Sequence, residues 1–181
     1  MIIQDALMNN KLLLVSCCAP CSCAVIKSLA EKGVNLTVLF YNPNIRPISE
    51  YRKRADENKR VCDLYQVPFV ELEYDNECWH RLTAGLEDLP ERNKRCDICF
   101  EMRLKRAFEY AKENGFERVT SVLGFSRYKD FEQVNRAAER AGGQDLYEPI
   151  NWRKGGLQEL SYALKEELNL YNQTYCGCKP R

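Results

Sequence analysis

Short apolar runs alternate with longer stretches of helical periodicity along this chain. Lys11 to Ser16 (KLLLVS) is a continuous apolar run of strand length, suited to a buried strand. Ser22 to Lys32 places Val25, Ile26, Leu29 and Ala30 at helical spacing and stops at Gly33. Asn35 to Tyr41 (NLTVLFY) predicts a second strand, and Pro43 and Pro47 break the loop behind it. Ser49 is an N-cap for a charged helix running to about Tyr65. Phe69 to Tyr74 predicts a third strand, Glu77 to Leu86 a helix, and LEDLPERNK a polar loop. Cys96 to Asn114 predicts a helix ending at Gly115, and Arg118 to Leu123 a fourth strand. Asp130 to Ala141 predicts a helix, Asp145 to Trp152 a last strand, and Leu157 to Leu168 the final helix before the tail NQTYCGCKPR.

Strands alternating with helices predict an α/β fold, a parallel sheet flanked by helices on both faces. Residues 1–181 are expected to form one domain with a cysteine-containing C-terminal tail. Ligands of such sheets bind beyond the carboxyl ends of the strands. The stretch CCAPC lies there, directly after the first strand. No GxGxxG, Walker A or SGGxD-type phosphate loop is present; CCAPCS stands where an ATP-pyrophosphatase of similar layout would carry the last of these.

Composition sharpens the chemistry. The chain has ten cysteines and a single histidine, His80, which excludes sites built on several histidines. No run of eighteen apolar residues is present, so no membrane span is expected, and the N-terminus lacks the pattern of a signal peptide. A cytoplasmic protein is expected. In a reducing compartment clustered thiols more often hold metal or do redox chemistry than form structural disulfides.

Cysteines fall into three clusters: Cys17, Cys18, Cys21 and Cys23; Cys96 and Cys99 in RCDICF; and Cys176 and Cys178 in YCGC. Cys62 and Cys78 stand alone and read as small core residues, as does Cys23. Cys18 and Cys21 with Cys96 and Cys99 satisfy a CxxC plus CxxC zinc spacing. The vicinal pair Cys17–Cys18 argues against a single small ion, and the ligand count favours an iron–sulfur cluster, whose corners bind separate thiolates. A Cys-x-Cys disulfide closes a small, labile ring, and Gly177 gives the backbone freedom to close it. Cys176 and Cys178 are therefore candidate redox partners, with further metal ligands or a plain tail as alternatives.

Net charge is +1, so no global case for nucleic acid exists. Charge is uneven, however. Arg92 to Arg106 carries Arg92, Lys94, Arg95, Arg103, Lys105 and Arg106 against Asp97 and Glu101. Such a patch can hold a phosphate backbone, or simply face water. Asn42, Asn44, Glu50, Tyr51 and Arg54 follow the second strand, and Ser126, Arg127 and Lys129 the fourth, so each group can reach the same sheet edge. Arg153 and Lys154 precede the last helix and suggest an anion site there.

Taken in order, CCAPCS, YNPNIRPISEYRKR, RCDICFEMRL, SRYKD, WRKGG and YCGC resemble the QueH type of epoxyqueuosine reductase, from about residue 11 to 178. The resemblance implies a fold similar to the adenine-nucleotide alpha-hydrolase (HUP) layout, with the metal site at the carboxyl ends of the strands. It implies reduction of epoxyqueuosine to queuosine in tRNA, the last step of queuosine biosynthesis, by a [4Fe-4S] cluster. Partners implied are tRNA carrying epoxyqueuosine at the wobble position and an external electron donor. Carried over by motif, Cys17, Cys18, Cys96 and Cys99 are the cluster ligands and Cys176 and Cys178 the redox-active pair. Cys21 is a further candidate ligand, for an additional iron. Lys129, Tyr51 and Asp97 are candidate proton donors, and Tyr41, Tyr128 and Trp152 candidate stacking partners for an extruded wobble base. A zinc-stabilised nucleic-acid-binding module without catalysis and a metal-free thiol-disulfide oxidoreductase are the alternatives.

Overall fold

A computed structural model describes residues 7 and 10–179. The strands are β1 (Leu12–Ser16), β2 (Leu36–Phe40), β3 (Phe69–Glu71) and β4 (Arg118–Ser121). The helices are α1 (Ala19–Glu31), α2 (Ile48–Leu64), α3 (Asn76–Leu82), α4 (Lys94–Glu113), α5 (Phe131–Arg140) and α6 (Leu157–Glu167). The strands form one parallel sheet in the order β3-β2-β1-β4. β1 is central, with Leu12 opposite Leu36 on one side and Arg118 on the other.

Alternation along β1 explains why the sheet is covered on both faces. Leu12 and Leu14 enter one core with α1, Val61 and Cys62 of α2, and Leu164 of α6. Leu13 and Val15 enter the opposite core with Phe100, Leu104 and Phe108 of α4 and Val134 of α5. A smaller cluster of Phe40, Ile45, Tyr51 and Ala55 closes the β2 edge. All strands therefore point their carboxyl ends one way, and the three loops behind β1, β2 and β4 gather there. Among the described residues no helix is long and apolar enough to cross a membrane.

Four sequence expectations change. Ser49 is not an N-cap: α2 begins at Ile48, and Pro47 stands at the cap with no side-chain hydrogen bond. The first helix begins at Ala19 rather than Ser22, because Pro20 occupies the first turn, where N–H groups have no intrahelical partner to lose. Cys21 and Cys23 consequently both belong to α1. Asp145 to Trp152 does not form a strand; Tyr147 makes only an isolated parallel bridge to Val119. Its backbone turns at once toward α6, and Trp152 is spent on a hydrogen bond from Nε1 to Thr120 Oγ1 (3.2 Å). β3 and α3 are shorter than their apolar patterns suggest. The solitary Cys62 is fully buried and its thiol is pushed up to about 12 by that burial, as expected of an inert core residue.

The α5 turn depends on a missing side chain. A Cβ on Gly143 would lie 2.3 Å from the Phe108 ring and 3.0 Å from the Ala138 carbonyl. Gly143→Ala therefore forces Phe108 out of its packing and should destabilise the fold by about 1–3 kcal/mol, read as a lower urea midpoint at unchanged slope. An unchanged midpoint would show that this core relaxes freely.

Candidate metal and thiol site

β1 delivers Ser16 and Cys17 to the sheet edge, and Cys18 turns the chain in extended conformation (φ −171°, ψ 156°) into α1. The Cys18 side chain makes no cap. Asn58 of α2 does so instead: its side-chain oxygen accepts from the backbone N–H of Cys18 (3.2 Å) and Ala19 (3.1 Å) in the amide orientation that satisfies both ends. This turn stacks Cys21, one helical turn on, over the vicinal pair. The Sγ atoms of Cys17, Cys18 and Cys21 all lie within 4.8 Å of one another, and those of Cys17 and Cys18 are 3.7 Å apart. Tetrahedral bonds of about 2.3 Å to one thiophilic ion set sulfurs roughly 3.8 Å apart. Adjacency is therefore no obstacle to a single-ion site, against the sequence argument. Among the described residues no other trio of His, Cys, Asp or Glu meets this closely.

The other two clusters open onto the same place. One cavity of about 1140 Å³ is lined by Cys17 and Cys21, by Cys96 and Cys99 of α4, and by Cys176 and Cys178 of the tail. All ten cysteines are free thiols. An all-sulfur donor set at the edge of a dry core suits a soft metal.

Buried cations stand among these thiols. Arg103 lies four residues beyond Cys99 on α4, so it shares that face. It is 4% exposed, and it donates to the Tyr41 carbonyl (3.3 Å) and to Asn42 Oδ1. Asn42 in turn donates to the Ser16 carbonyl (3.0 Å). Hydrogen bonds with Cys18 and Cys21 hold the Cys17 thiol well below its ordinary range, and Arg103 and Arg54 add to this against burial. The hydrogen bond with Cys17, joined by burial, pushes Cys18 and Cys21 up. Burial raises Cys99, opposed by Arg103. The spacing Cys96, Cys99, Arg103 was the available sequence signal for this residue.

The tail repeats the pattern. Its hydrogen bond with Cys178 sets the Cys176 thiol well below the usual range, and Lys129 supports this against burial. Lys129 Nζ donates to Cys176 Sγ (3.2 Å) and to Glu91 Oε2 (2.8 Å). Gln173 Nε2 donates to Cys18 Sγ (2.7 Å), tying the tail to the first cluster.

Other candidates separate cleanly. Lys129, Ser126, Arg127, Tyr128, Asn44 and Arg54 line the cavity. Tyr51 is fully buried and donates to Glu71 (3.0 Å), and Asp97 accepts from Gln133 (3.0 Å) and Arg140 (3.4 Å). Neither lines the cavity, so of the proton donors considered Lys129 is the one in place. Tyr41 and Trp152 are core residues, leaving Tyr128 as the stacking candidate; Tyr162, overlooked in the sequence, joins it at the mouth. Arg153 is not an anion site. Its guanidinium braces the loop behind β4 by donating to the carbonyls of Phe125 (3.1 Å), Ser126 (2.5 Å) and Lys129 (2.7 Å). The basic stretch is no continuous face either. Arg92 donates to the carbonyls of Tyr128 (3.0 Å) and Arg127 (2.6 Å), Arg95 and Arg103 are buried, and Arg106 pairs with Glu73 (2.8 Å). Cys23 is buried in the α1 core beside Ser161 (3.9 Å), and Cys78 lies 3.4 Å from an Arg81 nitrogen outside the cavity.

Comparison with known proteins gives the family. The family model for epoxyqueuosine reductase QueH matches residues 12–179. The chain belongs to the QueH family. The epoxyqueuosine reductase QueH of Histophilus somni is 44% identical over 173 residues, covering 94% of this chain and 71% of that one. That of Acinetobacter baylyi is 43% identical over 93% of this chain and 79% of its own. The Thermotoga maritima QueH is 32% identical over 90% and 85%. Among solved structures, the U34-tRNA thiolase NcsA from Methanococcus maripaludis with its [4Fe-4S] cluster aligns with TM-score 0.49 at 13% identity, covering 91% of this chain and 68% of that one.

The Lys129 contact gives a direct test. A depressed Cys176 ionises at lower pH than an ordinary thiol, so its alkylation by iodoacetamide should climb less steeply from pH 7 to 9 than that of a free cysteine. Lys129→Met removes the cation and raises the thiol. Alkylation at pH 7 should slow by about tenfold, with the rate now climbing more steeply as pH rises. A variant that keeps the wild-type profile would show that the Cys178 hydrogen bond, not Lys129, holds the thiol low.

Proposed function

We propose that this chain reduces epoxyqueuosine to queuosine in tRNA through a [4Fe-4S] cluster held by Cys17, Cys18, Cys96 and Cys99, with Cys176 and Cys178 as a two-electron dithiol. Cys21 serves an additional iron beside it. The convergence of all three thiol clusters on one cavity, in a chain of this family, is the observation that supports the reading. Such a cluster supplies single-electron transfer and a Lewis-acidic iron to the site.

The chain's own residues supply the rest. Removing the epoxide oxygen as water takes two electrons and two protons and leaves an alkene. Closing a Cys176–Cys178 disulfide from the Cys176 thiolate and the Cys178 thiol releases that pair of electrons and one proton, and the Lys129 ammonium gives the other, so epoxide, thiolate, thiol and ammonium become alkene, disulfide, water and neutral lysine. Lys129, protonated beside Cys176, stands where a proton can be handed to the departing oxygen. Burial works to lower Lys129, and the charges of Cys176 and Glu91 reverse this and hold it protonated. An external donor then reopens the disulfide.

The mouth of the cavity suits a single-stranded RNA loop. Tyr128 and Tyr162 are each 59% exposed there. Arg127 lies 4.9 Å from the Tyr128 ring and Lys165 5.5 Å from the Tyr162 ring. Rings backed by cations offer stacking for bases flanking an extruded wobble nucleotide and charge for its phosphates.

Two measurements test this. Protein prepared without oxygen should carry about four iron and four sulfide per chain, with any additional iron in excess of sulfide, and Cys96→Ala should lose both together. Zinc without sulfide, or full retention in that variant, would overturn the assignment. Tyr128→Ala and Tyr162→Ala should each weaken binding of an anticodon stem-loop by about tenfold at unchanged metal content. Wild-type affinity in both would remove the mouth as the RNA surface.

A further inference from the structure

The two tail sulfurs belong to no helix or strand, and their backbone is held by α2 instead. Glu50 and Arg54 stand four apart on α2 and share a face. Their side chains are only 7% and 3% exposed, with Arg54 Nη2 2.7 Å from Glu50 Oε1. Burying an ion pair costs both charges their hydration, and such a pair often stabilises a fold no better than apolar residues do. What distinguishes this one is where its remaining capacity goes.

The further hydrogen bonds of the pair run to the tail. Arg54 Nη1 donates to the Cys176 carbonyl (2.8 Å) and Nη2 to the Tyr175 carbonyl (3.0 Å). The guanidinium lies 5.4 Å from the Tyr175 ring. Glu50 Oε2 accepts from Tyr171 Oη (2.7 Å). Just before α2, the Arg46 backbone N–H donates to the Gly177 carbonyl (2.9 Å). The successive carbonyls of Tyr175, Cys176 and Gly177 are thereby fixed, and none of these bonds uses either sulfur. Gly177 lies flat against this clamp. Its φ is +103°, and a Cβ there would come 3.2 Å from Arg54 Nη1 and from both γ carbons of Ile45. Glycine is needed for close approach as well as for ring closure.

We propose that Arg54, braced by Glu50, is the positioning residue that fixes the Cys-Gly-Cys backbone against the cavity, so that the Cys176–Cys178 bond opens and closes in place. The inference rests on reading Cys176 and Cys178 as the two-electron pair. Arg54→Lys keeps the charge but replaces a planar fork with one compact ammonium, which cannot serve Glu50 and two carbonyls together. Gly177→Ala leaves the ion pair whole and lifts the segment off it.

Both variants are assayed with epoxyqueuosine-containing tRNA, and the dithiol–disulfide equilibrium is read by alkylation after equilibration in glutathione buffers. A misplaced reacting group costs up to about a hundredfold in rate. The expected result in each is a kcat lowered about tenfold or more, KM within about twofold, unchanged metal content, and a dithiol–disulfide constant shifted by about threefold or more. Wild-type kcat and constant in both folded variants would overturn the clamp. If Arg54→Lys does not fold, Glu50→Gln, which loosens the brace on Arg54 without altering Cys176 or Gly177, is read in its place with the same expected and overturning results. Cys178→Ser separates the two ideas. If it turns over normally, the redox pair itself is wrong. If it is inactive while the other two are normal, only the clamp is wrong.

Discussion

Thiolates gathered in one buried cavity repel one another, and that repulsion has to be met by cations brought inside with them. This constraint organises the whole upper face of the molecule. Arg54 comes from α2, Arg103 from α4 and Lys129 from the loop behind β4, and between them they reach all three cysteine clusters. None is left bare. Glu50 braces Arg54, Asn42 and the Tyr41 carbonyl receive Arg103, and Glu91 pairs with Lys129. The Cys17 and Cys176 thiols are thus held low by fixed neighbours, and the low dielectric of the site makes each neighbour count for more than it would in water.

The parallel sheet makes this arrangement possible. β1 is buried on both faces because its two neighbours and both helix layers cover it, and its carboxyl end is consequently a dry place to put Cys17 and Cys18. α4 crosses above with Cys96 and Cys99 near its start, and the tail returns over α2 to bring Cys176 and Cys178. The loop behind β4, which carries Lys129 and Tyr128, is rigid for a reason invisible in its own residues: Arg92 and Arg153 hold its carbonyls from two sides. Cations that looked available for RNA phosphate are thus partly consumed in building the site.

Local features were legible in the sequence. The apolar runs, the helical spacing and the glycine after α1 located β1, β2, β4 and most helices, and the three cysteine groupings pointed to one centre at the carboxyl ends of the strands. What failed did so for tertiary reasons. Asp145 to Trp152 has a strand's composition but pairs only at Tyr147, and Tyr41 and Trp152 were absorbed by the core. The helix expected from Ser22 starts three residues earlier because its first turn accepts Pro20. The zinc argument from Cys17 and Cys18 failed because the turn into α1 sets their sulfurs side by side. The Arg54 contacts join residues 121 and 122 positions apart, and no local pattern reports such a pairing.

The central claim is that the tail dithiol supplies the electron pair consumed at the epoxide. It is tested most directly by a single turnover without external reductant, using pre-reduced protein in excess of epoxyqueuosine-containing tRNA under anaerobic conditions. Nucleoside and tail-peptide mass spectrometry are then read on the same sample. The account predicts one Cys176–Cys178 disulfide for each queuosine formed. Queuosine appearing while both tail thiols remain reduced would contradict it.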